Sequence, residues 1–403
     1  MKKIPILLLL FCLLTPPSLG ESLSLEEMLG ASSAGQMHGA QLDPVPHATS
    51  FWDMDPDAYD LANPDHQRAI WEILMQPITV LDVGQVEHVY PTRAPGLDRR
   101  PWQENTTGEL HGQSQGVNVL SREGDWALIE AYSNDGTKTG NSYMKSINNK
   151  RIQGYVKSRL LKTVTPSDEY ALLVDKMRQK MYIFQQGAII GTLDVSTGRN
   201  NEKQPYNETP AGEFLTVSWV GEMVSGTMRE RFSIRINGGT TLHEVPHRLG
   251  ADGKTRLYDE FEKLIGQKAS HACVRIQRTK NAQGQNAAWI WDNISRGDTK
   301  VMIWDDVGRK IPEPEVPDPA TPLYREPGKS LYHLHADCDA AKGALVADLT
   351  YGDLVREENR KLRPCSACGA PPRPETLYER YAAQLESLGV PVPEDARAAF
   401  GLP

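Results

Sequence analysis

Cysteine is scarce in this chain: five in 403 residues, at Cys12, Cys273, Cys338, Cys365 and Cys368. One near the start, one isolated and three clustered make no obvious disulfide framework of the kind that staples small secreted folds. Positive charge is outweighed, with 44 Lys and Arg against 52 Asp and Glu. A formal charge of -8 and a pI near 5.8 exclude a nucleic-acid partner held by counterion release. Long apolar runs are missing: the stretch from Ile4 to Leu14 is too short to span a bilayer as a helix, and no later segment is apolar enough to try. No nucleotide, flavin or haem motif is visible, so catalysis is expected to need no cofactor.

What is there begins with Met1-Lys2-Lys3, the apolar run, and Thr15-Pro16-Pro17-Ser18-Leu19-Gly20. A charged start, a short apolar stretch and small residues before a cut after Gly20 predict a signal peptide over 1–20. Cys12 follows Phe11 inside the apolar run, so it is not read as an acylated cysteine. The mature chain is expected to be exported to the periplasm or cell envelope, with no integral membrane segment after cleavage; an uncleaved anchor is the alternative. Residues 21–77 read as an entry segment that ends in a docking helix. Asn63-Pro64 starts that helix, Ala69, Ile70, Ile73 and Leu74 form its apolar stripe, and Pro77 stops it.

From Ile78 the period changes. Short strands at Ile78–Leu81, Val117–Leu120, Trp126–Ala131 and Gly154–Val156 are separated by Gly, Asn, Asp and Ser clusters. The strings Gly112-Gln113-Ser114-Gln115-Gly116-Val117-Asn118-Val119-Leu120, Asp125-Trp126-Ala127-Leu128-Ile129 and Gly154-Tyr155-Val156 resemble a bacterial SH3-like barrel, placed at 78–163. Further strands are expected at Ala171–Val174, Met181–Phe184, Ala188–Val195, Glu213–Val217, Phe232–Ile236 and Lys300–Trp304, with a short helix around Asn286–Asn293.

Ser270-His271-Ala272-Cys273-Val274-Arg275, preceded by Leu242-His243-Glu244, is the chemically loaded stretch. Thiolates attack carbonyls, and a neighbouring imidazole is the usual means of generating one. Other strings stand with it in order: Asp175–Phe184 leading to Gly187, Ser196-Thr197-Gly198, and Thr209-Pro210-Ala211-Gly212-Glu213-Phe214. Together, over residues 168–306, they resemble L,D-transpeptidases of the YkuD type, cysteine enzymes that remodel peptidoglycan stem peptides. The resemblance implies Cys273 as nucleophile, His271 as general base and His243 as the upstream histidine that lines the site. It further implies Ser270 as holder of the motif loop and Arg275 as contact for a substrate carboxylate or brace of the loop. The backbone N–H groups of Ala272 and Cys273 are implied as an oxyanion hole. Two features depart from the family pattern. Ala272 stands where the family has glycine, which is costly if that position needs φ > 0. The separation of His243 from Ser270 is also long, and Arg248–Lys268 is expected to be an inserted loop that could serve as a substrate lid.

A Pro-rich linker is expected at 307–325, then a small module at 326–372 and a C-terminal helix and tail at 373–403. In the module His333, Cys338, Cys365 and Cys368 have zinc-site spacing, and a structural Zn is expected there; a disulfide is the alternative. His333 and His335 alternate on a strand, so only one is expected to bind, and similarity to small zinc modules of exported bacterial proteins favours His333.

The fold expected is mainly β and multidomain: an SH3-like barrel, a YkuD-type β-sandwich, then a small Cys/His module with a C-terminal helix. The function expected is an L,D-transpeptidase that releases D-alanine from stem tetrapeptides through a Cys thioester and passes the acyl group to an amine of another stem. Peptidoglycan stem peptides are thus donor and acceptor. An L,D-carboxypeptidase, transfer to a protein amine, and a non-catalytic peptidoglycan-binding scaffold are the alternatives.

Overall fold

A computed structural model describes residues 45–93, 106–133, 149–199, 207–311 and 315–403. The expected signal peptide, Cys12 and residues 21–44 of the entry segment lie outside the described residues.

Helix α1 (Pro64–Leu74) starts where the sequence places it. The Asn63 side chain accepts the Asp65 N–H at 2.9 Å, and Pro64 occupies the first helical position, where its missing N–H goes unused. Ile70, Ile73 and Leu74 are buried, each contributing about 1.5–3 kcal/mol.

Among the described residues seven short strands follow: β1 (Ile78–Leu81), β2 (Glu87–Val89), β3 (Gly108–Leu110), β4 (Asn118–Glu123), β5 (Trp126–Ser133), β6 (Lys150–Lys157) and β7 (Leu161–Val164). They pair as β1 with β7, β2 with β3, and β4-β5-β6. Leu81, Val89, Leu110, Ala127, Ile129, Ile152 and Val156 close around one core. Trp126 and Tyr155 are half-buried, Trp126 beneath the Lys157 ammonium at 3.9 Å, while the half-buried Tyr132 packs on Phe51 and Trp52.

The next unit is built from β8 (Ala171–Asp175), β9 (Lys180–Gln185), β10 (Ala188–Ser196), β11 (Gly212–Leu215), β12 (Ser218–Ser225), β13 (Met228–Arg235) and β14 (Thr241–Glu244). A hairpin of β15 (Arg248–Leu249) and β16 (Arg256–Leu257), helix α2 (Asp259–Glu262), β17 (Val274–Ile276), helix α3 (Ala287–Asn293) and β18 (Lys300–Trp304) complete it. Nine strands form one sheet in the order β11-β18-β8-β9-β10-β17-β14-β13-β12, in which β18–β8 and β14–β17 are parallel. Strand β8 is apolar without alternation because both faces are covered. Leu172 and Val174 join the core under α3, while Ala171 and Leu173 pack towards α1. Lys300 ties the layers together: its buried ammonium pairs with Glu213 and donates to the Ile73 carbonyl at 3.0 Å and the Gln76 carbonyl at 3.3 Å, at the C-terminal end of α1.

The fold is mainly β, as the sequence predicts, with differences in detail. Strands β12, β14 and β17 are not among the expected ones. The insertion at 248–268 is a packed hairpin and helix, with Phe261 and Ile265 against Val245. Beyond it, β19 (Pro322–Arg325) takes four residues from the expected linker into a sheet with β20 (Leu331–His333), β21 (Val346–Thr350) and β22 (Arg363–Pro364), ordered β21-β19-β20-β22. Helix α4 (Pro374–Ser387), stopped by Gly389 at φ +69°, and the short α5 (Ala396–Ala399) end the chain. Gln384 of α4 donates to the Lys176 and Met177 carbonyls, and Arg380 pairs with Asp194 at 3.3 Å, so the tail is fastened to the nine-stranded unit.

Candidate active site and metal centre

Parallel pairing of β14 with β17 sets Leu242 beside Val274 and His243 beside Arg275. One step back along that register, Thr241 meets Cys273, its hydroxyl 3.3 Å from Sγ. Thr241 and His243 are two apart on β14 and share a face, so the period of the strand brings both to the thiol. His243 is buried and hydrogen-bonded to Cys273. Its Nδ1 lies 2.6 Å from the Glu244 carbonyl, which fixes Nδ1 as the N–H and leaves Nε2 for the thiol.

The electrostatics follow. Burial pushes the Cys273 thiol up, but the His243 hydrogen bond and charge, with the Thr241 hydroxyl and N–H, outweigh it and hold the thiol below its ordinary value. Burial presses His243 down, yet the Cys273 hydrogen bond and the Glu230 carboxylate, 3.7 Å from Nε2, leave it above its ordinary value. Both directions favour a thiolate–imidazolium pair.

His271 is placed differently from the role its motif position implies. It is exposed, and its Nε2 lies 2.9 Å from Arg199 Nη2. Burial and the Arg199 and Arg275 charges hold it below its ordinary value, so it stays neutral. The imidazole on the thiol is His243.

Ser270 holds the loop: its hydroxyl donates to the Cys273 carbonyl at 2.5 Å, and its N–H to the Thr197 carbonyl at 2.9 Å. Arg275 is buried; Nη1 donates to the Ala269 carbonyl at 3.2 Å, while Nε has no partner among the described residues. Ala272 sits at φ +76°, the left-handed region that glycine would occupy without strain. Its N–H is engaged by the Asn207 carbonyl at 2.9 Å and does not face an open oxyanion site, which corrects the expectation for Ala272. The Thr209 hydroxyl donates to the Ala272 carbonyl at 2.8 Å and accepts the Gly198 N–H at 2.7 Å. A Cβ on Gly198 would lie 1.9 Å from the Asn207 carbonyl oxygen, so glycine alone fits there.

Thr209 stands in the sequence with no role assigned to it, yet it is a strut of the nucleophile loop. Thr241 and Glu230 carried no motif signal either, although Thr241-Leu242-His243 has the alternation that could have found Thr241. Beneath the 207–209 loop, Lys176 and Lys268 are buried among Glu208, Asp305 and Asp306: Lys268 lies 3.0 Å from Glu208 and 2.6 Å from Asp306, and Lys176 contacts all three acids.

In the C-terminal module, β20 and β22 run parallel and the Cys365 N–H donates to the Tyr332 carbonyl, bringing His333 next to the Cys365–Cys368 turn. The ligand atoms of His333, Cys338, Cys365 and Cys368 all lie within 4.8 Å of one another. Cys338 and Cys365 sulfurs are 3.9 Å apart, and Cys368 Sγ is 3.8 Å from His333 Nδ1. A tetrahedral Zn²⁺ with ordinary Zn–S and Zn–N lengths has edges of about 3.6–3.8 Å, so the donor set fits that ion. All four cysteines among the described residues are free thiols.

A buried imidazole paired with a thiol on a mixed β-sheet defines a thiol–imidazole site. Residues 169–303 match the model of the YkuD family, the L,D-transpeptidase catalytic domain. No curated protein matches the chain. Among solved structures it is similar to an L,D-transpeptidase (Yku) from Stackebrandtia nassauensis, at 16% identity over 34% of this chain and 56% of that one, TM-score 0.25. It is also similar to an L,D-transpeptidase from Mycobacterium smegmatis, at 13% identity over 56% of this chain and 99% of that one, TM-score 0.25. A third is a fused Zn-dependent amidase/peptidase/peptidoglycan-binding domain-containing protein from Clostridium acetobutylicum, at 19% identity over 34% and 52%, TM-score 0.23. The chain thus spans about half the length of the Clostridium and Stackebrandtia proteins.

Proposed function

We propose that the protein is an exported L,D-transpeptidase of peptidoglycan stem tetrapeptides, working in the periplasm or cell envelope. The observation that carries this reading is the Cys273 thiol hydrogen-bonded to His243 within a YkuD catalytic domain. Cys273, as thiolate, attacks the carbonyl that precedes the terminal D-alanine. His243 carries the thiol proton and gives it to the departing amine, leaving a thioester. An amine of a second stem then attacks the thioester carbonyl and Cys273 is released. Arg275, buried with an unpaired Nε, is positioned to brace the loop and to offer charge towards a carboxylate. His271 is here not the base but part of the Arg199 pair at the rim. A loop disabled by Ala272 would favour the scaffold alternative. The left-handed turn is nonetheless formed, held by Asn207 and Thr209.

His333, Cys338, Cys365 and Cys368 would hold a structural Zn²⁺. All four positions of the ion would be filled by protein, so its contribution is folding of a module whose own core is small. The strands at 78–164 serve as the spacer that carries the catalytic unit.

Mass spectrometry of the chain incubated with tetrapeptide muropeptides, beside Cys273→Ala, tests the reading. D-alanine release with a cross-linked dimer in the wild type alone is expected. Release without dimer assigns a carboxypeptidase; binding with neither product nor thioester assigns a scaffold.

A further inference from the structure

We propose that Glu230 receives the acceptor amine as its ammonium and so directs the acyl group to nitrogen in preference to water. This rests on the reading above. Glu230 Oε2 is 3.7 Å from His243 Nε2, beside the ring nitrogen left for the thiol yet too far to hydrogen-bond it. Among the described residues its carboxylate makes no hydrogen bond, and its side chain keeps 12% of its surface open. His243 is already oriented through Nδ1 by the Glu244 carbonyl, so Glu230 is not needed to aim the ring.

The backbone is bent to put it there. Between Gly221 and Met223 the register of β12 on β13 jumps: Gly221 faces Ser233, but Met223 faces Glu230, two steps against three. Within that bulge Phe232 adopts φ +56°, a strained conformation for a bulky residue, and bulges re-aim the side chains beside them. The backbone just before Glu230 is pinned by a bridge, Arg229 N–H to His247 carbonyl at 2.9 Å with the reciprocal bond at 3.0 Å.

Charge gives the placement its use. Before acylation the site contains the Cys273 thiolate; in the thioester that negative charge is gone. His243, Arg275 and the Arg199–His271 pair remain, and Glu230 is the carboxylate that acts on all of His243, His271 and Arg275. An acceptor arriving as R–NH3⁺ would be repelled by the Arg199 and Arg275 guanidiniums and drawn to Glu230. The step balances as follows. The ammonium loses one proton to solvent at the Glu230 carboxylate. The freed amine forms a C–N bond to the thioester carbonyl and gives a second proton to neutral His243. The C–S bond breaks, leaving an amide, the Cys273 thiolate, imidazolium and an unchanged Glu230 carboxylate.

The test compares wild type, Glu230→Gln and Glu230→Asp, acylated with a tetrapeptide donor and then offered either an alkylamine, charged at pH 7, or methoxyamine, which is neutral. The expected result is a fall of about tenfold in the ratio of alkylamine adduct to hydrolysed donor for Glu230→Gln, with the methoxyamine ratio little changed. Glu230→Asp should fall between the two. A carboxylate that served only His243 would slow acylation and both exits together, leaving the ratio unmoved; that outcome overturns the inference. If Glu230→Gln forms no thioester, the ratio in Glu230→Asp decides by the same criterion. Wild type that forms no thioester at all refutes the enzyme reading itself, a result distinct from an unmoved ratio.

Discussion

At the scale of single residues the nucleophile loop is strained at one position. Ala272 at φ +76° costs about 1–2 kcal/mol that glycine would not, against about 0.5–1 kcal/mol more chain entropy lost by glycine on folding. Ala272→Gly should therefore stabilise the protein by roughly 1 kcal/mol in denaturant unfolding; a clear loss of stability would show that the loop is relaxed as it stands. The thiol makes a second prediction. Since His243 and Thr241 hold Cys273 below its ordinary value, iodoacetamide labelling should stay fast as pH is lowered past the ordinary thiol range, and fade only through the depressed value. In His243→Ala burial is left without its counterweight, so labelling should shift to high pH; an unchanged profile would remove His243 from the site. Cys273 was legible because a motif surrounds it. The choice between two histidines was not, since it depends on which strand lies parallel to β17 and on Arg199 occupying His271.

At the scale of elements, the loop at 207–209 that braces Ala272 stands on the buried Lys176 and Lys268 cluster. Glu208 and Asp306 are nearly inaccessible, and the two ammonium groups hold Asp306 well below the usual carboxylate range despite burial. Removing one member of such a cluster strands the rest. Lys176→Met should cost about 3–5 kcal/mol, read as a lower urea midpoint with the slope unchanged. A cost under about 1 kcal/mol would mean the acids are relieved by water. Long apolar strands were visible in the sequence, β8 to β10 and β18 nearly residue for residue. Strands β14 and β17 were not, because an alternation only three or four residues long is too short to stand out as a period. Their pairing is long-range, and the site is built on it.

At the scale of the whole molecule, the C-terminal module has a small core around Leu323, Tyr332, Tyr351 and Leu354, and its folding should depend on the metal. Purified protein should contain about one zinc per chain, and chelation should make Cys338, Cys365 and Cys368 reactive to a thiol reagent while Cys273 keeps its labelling rate. Metal-free protein with the same melting profile and three thiols still unreactive would contradict this. The spacing of these ligands was readable; that α4 returns to grip Lys176, Met177 and Asp194 was not, since no local pattern encodes a contact 200 residues away. One last consequence concerns order in time. Strand β18 is the final strand of its sheet to be synthesised, yet it lies inside it, between β11 and β8, and Asp305 and Asp306 follow directly on it. A chain emerging N-terminus first has therefore already produced Cys273 before the strand and acids that secure its surroundings exist. The footing of the nucleophile loop is therefore completed only once residue 306 has been added, after every side chain that touches the thiol.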